Sequence, residues 1–299
     1  MKEKIVYWIT GSQTLYGADV LEHVAQHSQE MADYVGDSFY LAKVAAKEKK
    51  STIVFCGVRF MGESAKILNP GSRVLLPDAQ ADCPMAHMAQ VAQIQKLRAE
   101  VPDLAVVCYI NSSAELKAHS DVCVTSSNAV KVVSALPQKN ILFIPDKNLG
   151  SFVAKQLPGR NFYYSGGYCP VHAVLLAEDV LAEKRAHPAA EVHVHPECTE
   201  EVVKAADFAG STAEIIAHAE AGAAREFILG TEPGVLHELE RRCPGKKFYP
   251  VTPVCRDMKR ITPEKVLACL TGGGYEVKMG AELMDAARAP LARMLELAN

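Results

Sequence analysis

The sequence has no apolar run of about 18 residues, the length a helix needs to cross a bilayer, so no membrane span is expected. It has no Lys/Arg-rich stretch either. Its 32 basic and 35 acidic residues leave a formal net charge of −3, and nucleic-acid binding, which needs a basic face, is not expected. The opening MKEKIVYWIT reads as a strand and lacks the apolar core and small-residue cleavage site of a secretory signal. Aromatic residues are only 7% of the chain, so the core has to come from aliphatic side chains, the usual filling of α/β layers with parallel sheets. No low-complexity linker divides the chain, so its parts are expected to pack tightly. Cysteine is not scarce. Nine cysteines without an export signal point to a reducing cytoplasm, where thiols serve metals or chemistry.

At 299 residues the chain exceeds the usual limit for a single core, whereas three modules of about 90 residues each are ordinary domains. Three cysteines divide it in that way. Cys83, Cys169 and Cys255 stand 86 residues apart and then 86 again. Each follows an expected strand and sits beside Pro or Gly, in DCPMA, GGYCPVH and PVCRDMK, which is loop chemistry. Cys56, Cys108 and Cys123 lie instead in apolar strand runs and are expected to be small hydrophobic core residues. Cys198, Cys243 and Cys269 are also assigned to structure.

The flanks repeat with the cysteines. AVVCYINSS enters a helix after Ser113, and EVHVHPECT does so after Thr199, 86 residues later. Thr125-Ser126-Ser127-Asn128 falls on Ser211-Thr212-Ala213-Glu214, and Asp146 falls on Glu232. The first third follows with a shift of 88, Asp37-Ser38 facing Thr125-Ser126. Apolar β-formers that stop at small polar residues before a helical pattern are βα units, and here they read as a triplicated βαβ module. The expected fold is therefore α/β: three similar αβα, Rossmann-like domains with parallel sheets around a pseudo-threefold axis. Their expected bounds are residues 1–84, with an atypical segment 1–32, then 85–170 and 171–255. Residues 256–299 form C-terminal helices closing on the first domain. Within them, residues 281–297 form an amphipathic helix presenting Leu283, Ala287, Pro290, Leu291, Met294 and Leu297 on one side.

Ligands of parallel α/β sheets bind beyond the carboxyl ends of the strands. That rule selects Tyr109, Asn111, Ser126, His195, Glu197, Ser211 and Thr212, several of them at helix N-termini whose free N–H groups suit carboxylate or phosphate. The serines and threonines are equally at home as helix caps. A cap has no need of a phenol or an imidazole, which leaves Tyr109 and His195 as the stronger candidates. Three thiols without a fourth suit a catalytic metal, either an iron–sulfur cube with one open iron or a zinc ion. For zinc, Cys83 with His87, Cys169 with His172, or the group His193, His195 and Cys198 could supply ligands, but those histidines do not recur across the thirds.

The segments VFCGVRFMGESAKILNP, DCPMA, YINSSAELKAHSDVCVTSSNAVKVV, ILFIPDKNLG, GYCPVH, VHPEC, GST, GTEPGVLHEL and CRDMKRIT resemble, in order and at matching spacing, the successive motifs of the quinolinate synthases, from about Asp33 to the end. The resemblance implies a 4Fe-4S cluster held by Cys83, Cys169 and Cys255 with one open iron. It implies a cytoplasmic enzyme of NAD biosynthesis that condenses iminoaspartate with dihydroxyacetone phosphate, releasing phosphate and water, with L-aspartate oxidase or dehydrogenase as supplier of the first. Tyr109 and Asn111 would then hold the intermediate, Glu197 would transfer protons and His195 would anchor a carboxylate. Ser38, Ser126, Ser211 and Thr212 would bind carboxylate or phosphate oxygens.

The first segment departs from that pattern. The His-Asn-Tyr-Gln motif of the family is missing after the first strand, and counting back from Asp37-Ser38 puts its His on Leu21 and its Tyr on His23. ITGSQTLYGADVLEHVAQHS instead resembles the start of the L-arabinose isomerases. Either the chain is a composite, or Tyr16, His23 or His27 stands in for the missing groups, or the segment is a packing helix with both histidines solvated. A non-catalytic cluster-binding sensor and a zinc lyase or sugar isomerase are the alternative readings.

Overall fold

The computed structural model describes residues 4–8 and 32–299. Twelve of its strands fall into three sheets. The first holds β1 (Lys4–Trp8), β2 (Tyr34–Val35), β3 (Thr52–Cys56) and β4 (Arg73–Leu76). The second holds β5 (Leu104–Tyr109), β6 (Val122–Val124), β7 (Asn140–Ile144) and β8 (Asn161–Tyr164), and the third β9 (Glu191–Val194), β10 (Phe208–Ala209), β11 (Glu226–Gly230) and β12 (Lys247–Pro250). Their orders are β4-β3-β1-β2, β6-β5-β7-β8 and β10-β9-β11-β12, which is one topology used three times, with every pair parallel. A thirteenth strand, β13 (Tyr275–Glu276), closes the edge of β4 antiparallel. The helices are α1 (Ser38–Lys47), α2 (Arg59–Leu68), α3 (Val91–Glu100), α4 (Ala114–Ala118), α5 (Ala129–Ser134), α6 (Lys147–Gln156), α7 (Ala177–Ala186), α8 (Glu200–Lys204), α9 (Thr212–Ala221), α10 (Leu236–Arg242), α11 (Pro263–Leu270) and α12 (Ala281–Leu297).

The repeat extends to single hydrogen bonds. Asp121 accepts from the Val106 amide at 2.6 Å, and Asp207, 86 residues on, accepts from Val192 at 2.9 Å. Arg98 faces the first of these carboxylates at 2.9 Å and Lys184 the second at 3.6 Å. The Thr125 amide donates to Asn128 Oδ1 at 2.8 Å, and the Ser211 amide donates to Glu214 Oε2 at the same distance. A side chain three residues into each turn thus satisfies an amide that the turn leaves free.

Strands β3 and β5 are buried at every position, as continuous apolar runs covered on both faces should be. In the third sheet the period of two is visible, with Phe227 and Leu229 joining the core under α9 and α10 while Ile228 joins the opposite core with Val192, Val194 and Val180. Edge strand β8 and the two-residue β2 and β13 were not foreseen, since short half-exposed segments carry little periodic signal. Helix α12 runs as expected and buries Ala287, Pro290, Leu291 and Met294. It packs on α2, α4 and β6, so one helix joins the first sheet's layer to the second's. Leu291 is fully buried there; Leu291→Ala is expected to cost about 2–5 kcal/mol, read as a lower urea midpoint at unchanged slope.

Candidate active site

Four side chains from two sheets meet beyond the carboxyl ends of β5 and β9. Tyr109 ends β5 and donates its hydroxyl to Glu197 Oε1 at 2.6 Å. His172 places Nδ1 2.8 Å from Glu197 Oε2 and 3.2 Å from Cys169 Sγ, while its Nε2 lies 3.4 Å from Thr231 Oγ1. The His195 ring stacks on His172 at 4.8 Å between centroids. All four are buried. The loop after β9 is pinned from two sides: the His195 amide donates to Gly230 O at 3.0 Å, and Asn148 Nδ2, at the start of α6, donates to Glu197 O at 3.0 Å.

Their protonation follows from these contacts. Burial alone would raise the Glu197 carboxyl, but His195 together with the His172 and Tyr109 hydrogen bonds holds it well below the usual range, so it is a carboxylate. Burial pushes His195 down to about 4, with Glu197 opposing and His172 adding to the shift. The ring is therefore neutral near pH 7, and since its Nδ1 lies 3.2 Å from the donating Glu197 amide, its proton belongs on Nε2. Burial and the Glu197 charge raise Tyr109, which keeps its proton.

Cys83, Cys169 and Cys255 are half-buried in loops at the same end of the three sheets. The second and third are held alike. Asp146 caps α6 through Oδ1 and accepts from the Cys169 amide through Oδ2 at 3.1 Å; Glu232, its counterpart, caps the turn at 233–235 and accepts from the Cys255 amide at 3.3 Å. The first third has Val58 at this place, and Asp82 accepts from the Cys83 amide instead at 2.8 Å. Burial, then the charge on Glu197 and the presence of Cys255, pushes the Cys83 thiol up to about 12, and burial, Glu197 and Cys83 push Cys169 up as well. Thiols that raise one another beside a carboxylate become thiolates only with a cation among them, which is what a metal site provides.

The three sulfurs do not form one tight trio. Among the described residues, the trios of ligand atoms within 4.8 Å of one another are Cys169, His172 and Glu197, and separately Glu191, His193 and His218. The expected zinc groups fare differently. Cys169 and His172 do come together; His87 is taken by Asp82 at 2.8 Å; and the His193, His195, Cys198 group is divided, since His193 faces His218 and Phe227 while Cys198 donates to Gly230 O at 3.3 Å.

A family model described as quinolinate synthetase A protein matches residues 16–296. The quinolinate synthase of Caldicellulosiruptor saccharolyticus is 51% identical over 90% of this chain and 89% of its own, and that of Fusobacterium nucleatum 50% identical over 91% of each. The quinolinate synthase of Clostridioides difficile is 44% identical over the whole of both chains. The chain belongs to the quinolinate synthase family.

The remaining residues that the quinolinate synthase resemblance selected are placed as follows. Asn111 is half-buried two residues past Tyr109, and Ser126 half-buried two past β6. Ser38 opens α1 behind its cap Asp37. Ser211 caps α9, with Glu214 N–H donating to its hydroxyl at 3.3 Å and the hydroxyl donating to Glu214 Oε2 at 2.7 Å, and Thr212 begins the helix. Tyr16, His23 and His27 lie outside the described residues. His172 was foreseen only as a partner for zinc, and Asp146 and Glu232 only as a repeat match; an acid recurring just before a helix, 23 residues ahead of Cys169 and of Cys255, was the available signal.

Proposed function

We propose that the chain condenses iminoaspartate with dihydroxyacetone phosphate to quinolinate, with loss of phosphate and water, and that Cys83, Cys169 and Cys255 hold a 4Fe-4S cluster with one open iron. The observation that carries this reading is the buried Tyr109–Glu197–His172 chain set against Cys169, at the end of the sheets where the three cysteine loops lie. A zinc ion about 2.3 Å from each of three sulfurs would hold them about 3.8 Å apart. The absence of the three cysteines from the trios within 4.8 Å favours a larger group that takes each thiolate on a separate iron. Such a cluster would supply an open Lewis-acidic iron that polarises a substrate oxygen.

The chain's own residues do the rest. Glu197, ionised and held by Tyr109 and His172, is the proton acceptor. Tyr109 offers its hydroxyl proton from the opposite side of that carboxylate, and neutral His195 offers Nε2–H to a substrate carboxylate. Asn111, Ser126, Ser38, Ser211 and Thr212 bind the carboxylate and phosphate oxygens; Ser211 must first release Glu214, so Thr212 and the α9 amides are the readier phosphate contacts. Iminoaspartate is hydrolytically labile, so L-aspartate oxidase or dehydrogenase would supply it nearby, in the cytoplasm, and the three αβα units would stand around a pseudo-threefold axis.

The test is growth of a quinolinate auxotroph carrying this gene, together with anaerobic assay of the protein; failure of both with an intact cluster would leave the sensor reading in place. A second reading, zinc on Cys169, His172 and Glu197, is favoured by their tight spacing. Recovery of zinc without iron from anaerobically reconstituted protein, with a sulfur near 2.3 Å in the zinc shell, would establish it. Loss of the family's His and Tyr from the first segment is expected to slow turnover. Exchanging residues 4–24 for a segment carrying His-Asn-Tyr-Gln should therefore raise kcat by roughly 10²–10⁴-fold. An unmodified chain as fast as other quinolinate synthases would show that a replacement group exists.

A further inference from the structure

The second trio draws Glu191 and His193 from β9 and His218 from α9. Glu191 and His193 stand two apart on β9, hence on one face of the sheet, and α9 lays His218 over them. His193 Nε2 is 3.3 Å from Glu191 Oε2 and 3.2 Å from His218 Nδ1, and all three atoms lie within 4.8 Å of one another. His193 is fully buried, whereas Glu191 is partly open and His218 exposed, so the trio opens to solvent on one side. Phe227 meets the His193 ring edge-on at 4.9 Å, and Phe208 stacks on His218 at 4.2 Å.

Protons alone leave this arrangement unbalanced. His193 Nε2 has either one hydrogen or one lone pair, and it faces both a carboxylate oxygen and an imidazole nitrogen. If it carries the proton, that one hydrogen has to be shared between Glu191 Oε2 and His218 Nδ1 over two long contacts. If it accepts from His218, its lone pair faces the carboxylate. A cation between the three satisfies them together, because each offers a lone pair inward. Binding through Nε2 would leave the His193 proton on Nδ1, a buried nitrogen with no hydrogen-bond partner among the described residues.

The distances fit zinc. Ligands about 2.0–2.1 Å from a tetrahedral zinc stand about 3.3–3.4 Å apart, and the two short edges measure 3.3 and 3.2 Å. The third edge, between the two more open side chains, closes by rotation at either end. Two imidazoles and one carboxylate, with water on the solvent side, complete a zinc coordination sphere. We propose that Glu191, His193 and His218 form a zinc site that clips α9 to β9, separate from the cysteine site. It has no counterpart in the second sheet, where the residues 86 positions back are Ala105, Val107 and Val132.

Full-length protein purified anaerobically, with whatever metal the cysteines carry, would be dialysed against zinc chloride and analysed for bound zinc and by zinc X-ray absorption. The expected result is one zinc per chain in a shell of nitrogen and oxygen near 2.0 Å without sulfur. His218→Gln, at an exposed position that threatens no core packing, and Glu191→Gln should each weaken binding by more than the roughly 10–100-fold that loss of an outer-shell partner costs. Zinc should also raise the melting temperature of the parent protein and leave that of His218→Gln unchanged. No stoichiometric zinc, a sulfur shell near 2.3 Å, or full retention by His218→Gln would each overturn the site. None of these outcomes depends on turnover, so failure here is distinct from failure of the condensation reading.

Discussion

Anaerobically reconstituted protein is expected to hold about four irons and four sulfides per chain, and replacing any one of Cys83, Cys169 or Cys255 by alanine is expected to abolish both the brown absorption and the activity. On the proposed reading the three ligands stand on three loops, with no spare thiol to take over. Every other cysteine is buried in strand or helix packing, from Cys56, Cys108 and Cys123 at 0% exposure to Cys198 bonded to Gly230 O. Cys56→Ala, Cys123→Ala and Cys198→Ala should therefore keep their iron while losing some stability. Cys169→Ala removes more than a ligand, because His172 Nδ1 lies 3.2 Å from its sulfur and 2.8 Å from Glu197. Iron and sulfide analysis of the variants is the measurement, and normal iron in any of the first three would dismantle the cysteine site.

Glu197→Gln is expected to lower kcat by roughly 10²–10⁴-fold, the usual worth of a positioned proton-transfer group, with iron content unchanged. Glutamine is nearly isosteric but neutral, and one end of it carries donors. It can accept from Tyr109 or from His172 through its oxygen, and its NH₂ must then face the other donor. The carboxylate now accepts from both, at 2.6 and 2.8 Å, so the change removes both the charge and one hydrogen bond. Tyr109→Phe, which leaves the carboxylate with one donor fewer, is expected to fall less far. A Glu197→Gln enzyme turning over at the parent rate would place proton transfer elsewhere.

Much of this was visible before the fold. The recurrence of cysteines at 86-residue intervals, with Asp146 falling on Glu232 and Thr125–Asn128 on Ser211–Glu214, marked three copies of one unit, and three sheets of one topology contain them. Continuous apolar runs such as TIVFC and AVVCY marked buried parallel strands, because helices on both faces demand apolar side chains at every position. Helix α12 was legible from its spacing even with Pro290 inside it, since 17 residues carry a strong period. The Tyr109, His195 and Glu197 positions followed from strand ends alone.

Local pattern, repeated in each third, was enough by itself to determine the βα units, the thiols at their loop ends and the membership of the family, since these depend on neighbours in the chain. Which residues meet across the thirds was decided only when the sheets packed. Tyr109 reaches Glu197 across 88 residues of sequence, and His172 arrives between Cys169 and Glu197 from a loop whose histidine recurs in neither other third. Lys117 was equally hidden: nothing around it distinguishes a surface lysine, yet it is fully buried, donating to Ser112 O at 2.7 Å and reaching Phe60 O, so that α4 is joined to α2. His193 and His195 looked like one cluster in VHVHPEC. The chain leaves β9 between them, so the two rings serve different neighbours, because a strand fixes only the face a side chain takes and the packed tertiary structure supplies what it touches there.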